Sequence, residues 1–157
     1  MGTKKVSVED RLEVYEVCAR YCWYVDEGDS DAWADLWTED GVFAGVTPEP
    51  LRGREALKGV PPTSIAGGCR HNLVNIRMEY GDTEDDIILH GYNIVFSWVA
   101  GGAISCNAVV RYHLVRRGDT WKIKTNQSRL QVPPGSPNQL PPGFPTPPTQ
   151  TTTWPPL

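Results

Sequence analysis

Residues 20–43 read RYCWYVDEGDSDAWADLWTEDGVF, and the fold turns on how this stretch divides. It splits into the end of an amphipathic helix, an acidic turn, a second short helix and the start of a strand. Asp26 is its pivot, the last residue before the Glu-Gly-Asp-Ser turn. Upstream, Cys22, Ala19, Cys18 and Tyr15 recur at spacings of three and four, which predicts one buried helical face. A carboxylate ending such a face is either an exposed helix-end charge or a group turned towards an apolar cavity, and turns are rich in Asp. The stretch by itself leaves both readings open.

Towards the N-terminus, Ser7 with Asp10 three residues on reads as an N-cap with an acidic capping partner. A first helix is therefore predicted over residues 8–25, ended by Gly28. A second helix over 31–37 presents Trp33, Leu36 and Trp37 on one apolar face, and a brief strand follows at 42–44. Leu51-Arg52-Gly53 leads into a third helix at 54–58, and 61–68 reads as a Pro/Gly-rich loop.

From Cys69 the apolar period changes from helical to alternating. Val74, Ile76, Met78 and Tyr80 alternate with His71, Leu73, Asn75 and Arg77. A strand over 86–99 puts Ile88, His90, Tyr92, Ile94, Phe96 and Trp98 on one side. The next, 103–115, sets Ile104, Cys106, Ala108, Val110 and Tyr112 against Ser105, Asn107, Val109, Arg111 and His113. In the last, 121–130, Trp121, Ile123, Thr125, Gln127 and Arg129 share a face. Gly101-Gly102 and Gly118-Asp119 supply the turns, so the three long strands form an antiparallel meander. Helices followed by a curled antiparallel sheet make an α+β fold, a cone-shaped half-barrel closed by N-terminal helices. Its inside is a mostly apolar cavity of the kind that takes small molecules.

The 157 residues suffice for one core without metals or disulfides. A net charge of −4 and no Lys/Arg cluster longer than two exclude nucleic acid as a partner. No window approaches a membrane span, no export signal is recognisable, and Val6 stands where a myristoylation motif wants Ser or Thr; a soluble, cytoplasmic protein is expected. Cys18, Cys22, Cys69 and Cys106 lack zinc-site spacing and read as free thiols; Cys18 and Cys22, one turn apart, would need two further ligands to hold a metal. Residues 132–157 form a separate Pro-rich extension beyond a domain at 1–131, with ten of the fourteen prolines and no charge. It is either a disordered or polyproline II segment, or an arm that Phe144 and Trp154 anchor over the cavity mouth or on a neighbouring subunit.

Several motifs stand in a telling order: Tyr21 and Asp26 at the end of helix one, DAWADLWTEDGVF, LRGREAL, Arg70-His71 with Asn75, and YHLVRRGDTWKI. Together, over residues 8–131, they resemble the SnoaL-like, nuclear transport factor 2-like superfamily. That superfamily holds dehydratases, isomerases, cyclases, epoxide hydrolases, dehydrochlorinases and non-catalytic proteins. The pattern is most similar to scytalone dehydratase, bile acid 7α-dehydratase and hexachlorocyclohexane dehydrochlorinase, which pair an Asp ending helix one with a His on the first long strand. Asp26 and His71 match those positions. The bile acid enzyme's Tyr, five residues before its Asp, matches Tyr21, and its late Arg approximately matches Arg129; the second His of scytalone dehydratase makes His90 a candidate. The paired Asp and Arg of limonene epoxide hydrolase have no counterpart.

The chemistry of the pair agrees. Neutral imidazole is a useful base near pH 7, and a carboxylate on its second nitrogen fixes the tautomer and stabilises the imidazolium. Asp26 would orient, His71 would move the proton, and Tyr21 or the imidazolium would donate to a departing hydroxide. Arg129 or Asn107 would hold a carbonyl or enolate oxygen, with Tyr24, Trp37 and His90 as further substrate contacts. No cofactor or metal is required. Against this, a strand histidine commonly just bonds a neighbour, Tyr21 and Tyr24 suit a core, His113 reads as exposed, and Arg129 suits a surface ion pair. The expectation is a cofactor-independent lyase or isomerase for a small hydrophobic oxygenated ring compound, assembled as a homodimer or homotrimer. The alternative is a binding or accessory protein using the same cavity.

Overall fold

The computed structural model describes residues 5–131 and 154–157. Its elements are α1 (Val8–Glu27), α2 (Ser30–Ala34), β1 (Trp37–Ala44), β2 (Leu51–Arg52), α3 (Gly53–Leu57), α4 (Val60–Ala66), β3 (Cys69–Tyr80), β4 (Asp86–Ser97), β5 (Ala103–Arg117) and β6 (Thr120–Leu130). The fold is α+β: a curled, unclosed six-stranded sheet in the order β2-β1-β6-β5-β4-β3, with the helices against its inner face. All neighbours are antiparallel except β1 and β6.

α1 begins as its cap dictates. The Ser7 hydroxyl oxygen accepts from the Asp10 N–H at 3.0 Å, and Gly28, at φ 77, ends the helix in the left-handed conformation that glycine adopts without a Cβ penalty. The buried face is Val14, Cys18, Tyr21 and Val25; Tyr15 and Ala19 are exposed, a correction to the predicted stripe. That rotation brings Tyr21 against Trp33 (ring centroids 5.2 Å) and edge-on to Tyr112 (5.6 Å), larger aromatic contacts than the alternative face offers.

Two further boundaries differ. α2 stops at Ala34, because Leu36 O accepts from Ile123 N at 2.8 Å and Trp37 pairs with Ile123, which draws the chain into β1 five residues early. Residues 60–66 form α4 instead of a loop: Pro61 and Pro62 sit in its first turn, where backbone N–H groups have no helical acceptor to lose.

Among the described residues β3, β5 and β6 each carry a one-residue β-bulge that curls the sheet and inverts the side-chain alternation beyond it. On β3 the pairs Val74–Tyr92 and Arg77–His90 leave one extra residue, and Asn75 takes φ 54. His71 and Leu73 therefore face inward with Ile76, Met78 and Tyr80, while Val74 turns outward. On β5, Val95 pairs with Cys106 but Phe96 with Ile104, so Ser105 and Cys106 are both buried and Ile104 is exposed. On β6, His113 pairs with Thr125 but Leu114 with Ile123. Trp121 and Ile123 face the core, then Asn126, Ser128 and Leu130 do, and Gln127 and Arg129 pass to the outer face.

Carboxylates pin α1 to β3 at both ends. Near its start, the Tyr80 hydroxyl donates to Asp10 at 2.6 Å, and Asp10 also ion-pairs with Arg116, whose guanidinium lies 4.4 Å from the Trp121 ring centre. Near its end, Asp26 meets His71.

Candidate active site

The backbone N–H of His71 donates to Asp26 Oδ2 at 2.8 Å, and its ring Nδ1 lies 2.6 Å from Asp26 Oδ1. One carboxylate thus holds both the main chain and the ring of the same residue. The Arg70 guanidinium bonds the Asp26 carbonyl oxygen at 3.0 Å and so secures the helix end from the outside. Both side chains are largely buried, at 16% and 10% exposure for His71 and Asp26. With Nδ1 engaged, Nε2 is the nitrogen left for a ligand.

The His71 ring lines a cavity of about 260 Å³. Its floor is Tyr21 and Val25 of α1, its walls are the inner faces of β1 and β3–β6, and α3, α4 and the loop after β1 complete it. Among the described residues its lining includes no Asp, Glu, Lys or Arg. Burial holds the Tyr21 phenol well above its ordinary value, pushes the Cys106 thiol up to about 12 and raises Cys69 as well. Those groups stay protonated near neutrality. The Asn126 amide donates to the Tyr21 oxygen at 3.1 Å, and the Tyr112 hydroxyl shares a further hydrogen bond with the same phenol.

The predicted site residues divide accordingly. Tyr21 and His71 line the cavity, and Asp26 stands directly behind His71. Trp37 is buried in an aromatic cluster with Trp33 (5.1 Å) and Phe43 (6.2 Å), and Tyr24 packs against the core; neither lines the cavity. His90, Asn107 and Arg129 are on the outer face, corrections that follow from strand parity and the β6 bulge. Burial and the Arg111 charge keep His90 below its ordinary value. His113 is half-buried and bonds Asp86 at 2.7 Å.

Trp154 lies on that outer face, its ring centre 4.5 Å from the Arg129 guanidinium and 6.1 Å from His90. The anchor predicted for Trp154 over the cavity mouth is thus not formed; Phe144 lies outside the described residues. The sequence reading missed Asn93, Ser64, Ser105 and Ser128, polar residues of the lining. Asn93 alternates with the aromatic face of β4, and that parity was its available signal.

Among the described residues no group of three His, Cys, Asp or Glu side chains could hold a metal ion, and no helix is long and apolar enough to cross a membrane. All four cysteines are unpaired.

A helix-closed, curled sheet over such a cavity defines the nuclear transport factor 2-like class. Within it, the chain belongs to the SnoaL-like domain family, whose profile matches residues 6–126; the family includes polyketide cyclases and dehydratases. No curated protein matches in sequence. Among solved structures, it is similar to an NTF2-like protein with a cystatin-like fold from Novosphingobium aromaticivorans, at 26% identity over 87% of this chain and 84% of that one, TM-score 0.69. A Catenulispora acidiphila protein solved in complex with S-DNPA shares 25% identity over 79% and 95%, TM-score 0.67. A further N. aromaticivorans protein, provisionally named a scytalone dehydratase, shares the fold at 16% identity over 80% and 86%, TM-score 0.65.

Proposed function

We propose that the protein is a cofactor-independent lyase or isomerase of the dehydratase type, acting on a small hydrophobic oxygenated ring compound. The observation that carries this reading is the 2.6 Å contact between His71 Nδ1 and Asp26 Oδ1, made by a ring that lines an otherwise uncharged cavity. His71 Nε2 removes a proton from carbon next to a carbonyl, and Asp26 stabilises the imidazolium that forms. In an elimination, the departing hydroxide takes a proton from that imidazolium or from the Tyr21 phenol and leaves as water. In an isomerisation, the imidazolium returns the proton to another carbon. The ligand-bound C. acidiphila relative and the provisionally named dehydratase support a small-molecule cavity and this class of reaction.

The test compares wild type with His71→Ala and Asp26→Asn on a panel of β-hydroxy carbonyl and polycyclic substrates, with binding followed in parallel. Turnover is expected to fall by about a hundredfold or more in both variants while binding survives. Binding without turnover in every protein would instead favour the accessory role. A homo-oligomer is part of the proposal, supported by the exposed Val74, Tyr92 and Ile104 on the outer sheet face; light scattering in solution measures it.

A further inference from the structure

One polar atom of the cavity lining, Asn93 Oδ1, is buried with no hydrogen-bond partner among the described residues. The buried Ser64 hydroxyl is not in that position, since it hydrogen-bonds the Cys69 thiol. Buried polar atoms are nearly always paired, so an orphan facing the cavity marks where a ligand's polar group belongs. Asn93 has a defined place relative to His71. His71 pairs with Val95, and Asn93 is two residues along β4 on the same inward face, a diagonal neighbour at about 7–8 Å. That separation is bridged by one small ring.

The charge of the lining sets a second condition. An anionic ligand would lose its water with no cation among the described lining residues to replace it. Arg70, the cation next to His71 in sequence, is committed to the carbonyl oxygens of Cys69 and Asp26.

We infer that the cavity selects an uncharged ligand whose hydroxyl donates to Asn93 Oδ1 about one ring's breadth from the atom facing His71. Asn93 is then the specificity-determining residue. The inference rests on the site proposed above but not on its chemistry, so equilibrium binding tests it separately from turnover.

The probes are 2-naphthol, naphthalene and 2-naphthoate, titrated calorimetrically into wild type, Asn93→Leu, Asn93→Ser and His71→Ala. Wild type is expected to bind naphthol at least about tenfold more tightly than either other probe. Asn93→Leu should bind naphthalene normally and prefer naphthol by less than about twofold. Asn93→Ser, smaller and still an acceptor, should keep part of the preference, which guards against a variant that merely fails to fold. His71→Ala should lose turnover on any substrate yet keep the naphthol preference; lost turnover with the preference gone from Asn93→Leu separates the two ideas. Naphthoate binding as tightly as naphthol, an unchanged preference in Asn93→Leu, or no binding of naphthol to wild type would each overturn the inference.

Discussion

At Asp26 a single carboxylate receives two donors from His71, and this gives the residue two separable jobs. Its bond to the backbone N–H fixes where β3 meets the end of α1, whereas its bond to Nδ1 fixes the ring. Asp10, at the other end of the helix, has only the structural job, and its titration should show in stability. Burial alone would raise its carboxyl, but hydrogen bonds from Tyr80, Ser7 and Arg116, with the Arg116 charge, hold it below the ordinary 3.8. Asp86 is also held low, chiefly by the hydrogen bond from His113. A carboxylate depressed in the folded state stabilises the fold above its unfolded value and loses that contribution as pH falls through the folded value. Melting temperature should therefore be flat on this account from neutrality to about pH 4 and fall below 3.8. Asp10→Asn should cost on the order of 1–3 kcal/mol at neutral pH and make the acid decline shallower. Thermal melts between pH 7 and 3 would check this; an acid limb as steep as that of wild type would assign the loss to other groups.

At the scale of strands and helices, the bulges decide which side chains reach the cavity. Much was legible without them. The Ser7 cap, the Gly28 stop, the glycine turns and the pairing of Asp26 with His71 follow from local chemistry or from motif order, which a bulge does not disturb. Faces are different, because alternation carries over a strand only while its count is unbroken. Arg129 shares parity with Trp121 in sequence and yet points the other way, since Lys124 is an extra residue. Ile104 parts from Cys106 for the same reason. Neither Ser105 nor Lys124 is a glycine, so composition does not mark those two bulges. Asn75 does carry a signal, because Asn tolerates positive φ better than most residues. Asn75→Val should destabilise the fold by about 1–2 kcal/mol, and Asn75→Gly should be tolerated. Deleting Asn75 should do something neither substitution does: it removes the bulge while His71 and Met78, then six residues apart in an unbroken alternation, still both face inward opposite Val95 and Leu89. Melting curves with turnover would separate the cases, since the deletion should straighten β3 yet leave His71 on the cavity side and the protein active. Loss of activity in a folded deletion variant would show that β3 depends on the bulge itself to aim His71.

Across the whole molecule, β6 joins the cavity to the C-terminal end of the chain. Its inner residues Ser128 and Leu130 line the cavity, while on its outer side Arg129 meets Trp154 and the Gln127 amide donates to the Pro155 carbonyl at 2.7 Å. Pro155 also lies against Gly45, at φ 95, where a Cβ would come within 2.0 Å of the Ser128 carbonyl oxygen. A side chain at 45 would thus push apart β1, β6 and the chain end together. The end of the chain therefore acts as a clamp on the outside of the cavity wall, through one ring, one amide and one close backbone approach. Trp154→Ala removes the ring and leaves the other two contacts. It should lower stability by about 1–2 kcal/mol, from the lost cation–π contact and apolar burial, and speed hydrogen exchange of β6 amides near residue 129. Since the ring is on the opposite side of the sheet from His71, 2-naphthol affinity should change by less than about threefold. Light scattering of the same variant has a second use. An unchanged mass with lowered stability fits a clamp within one subunit; a drop in mass would mean that Trp154 also holds a neighbouring copy; unchanged stability and exchange would mean that the clamp does not form in solution.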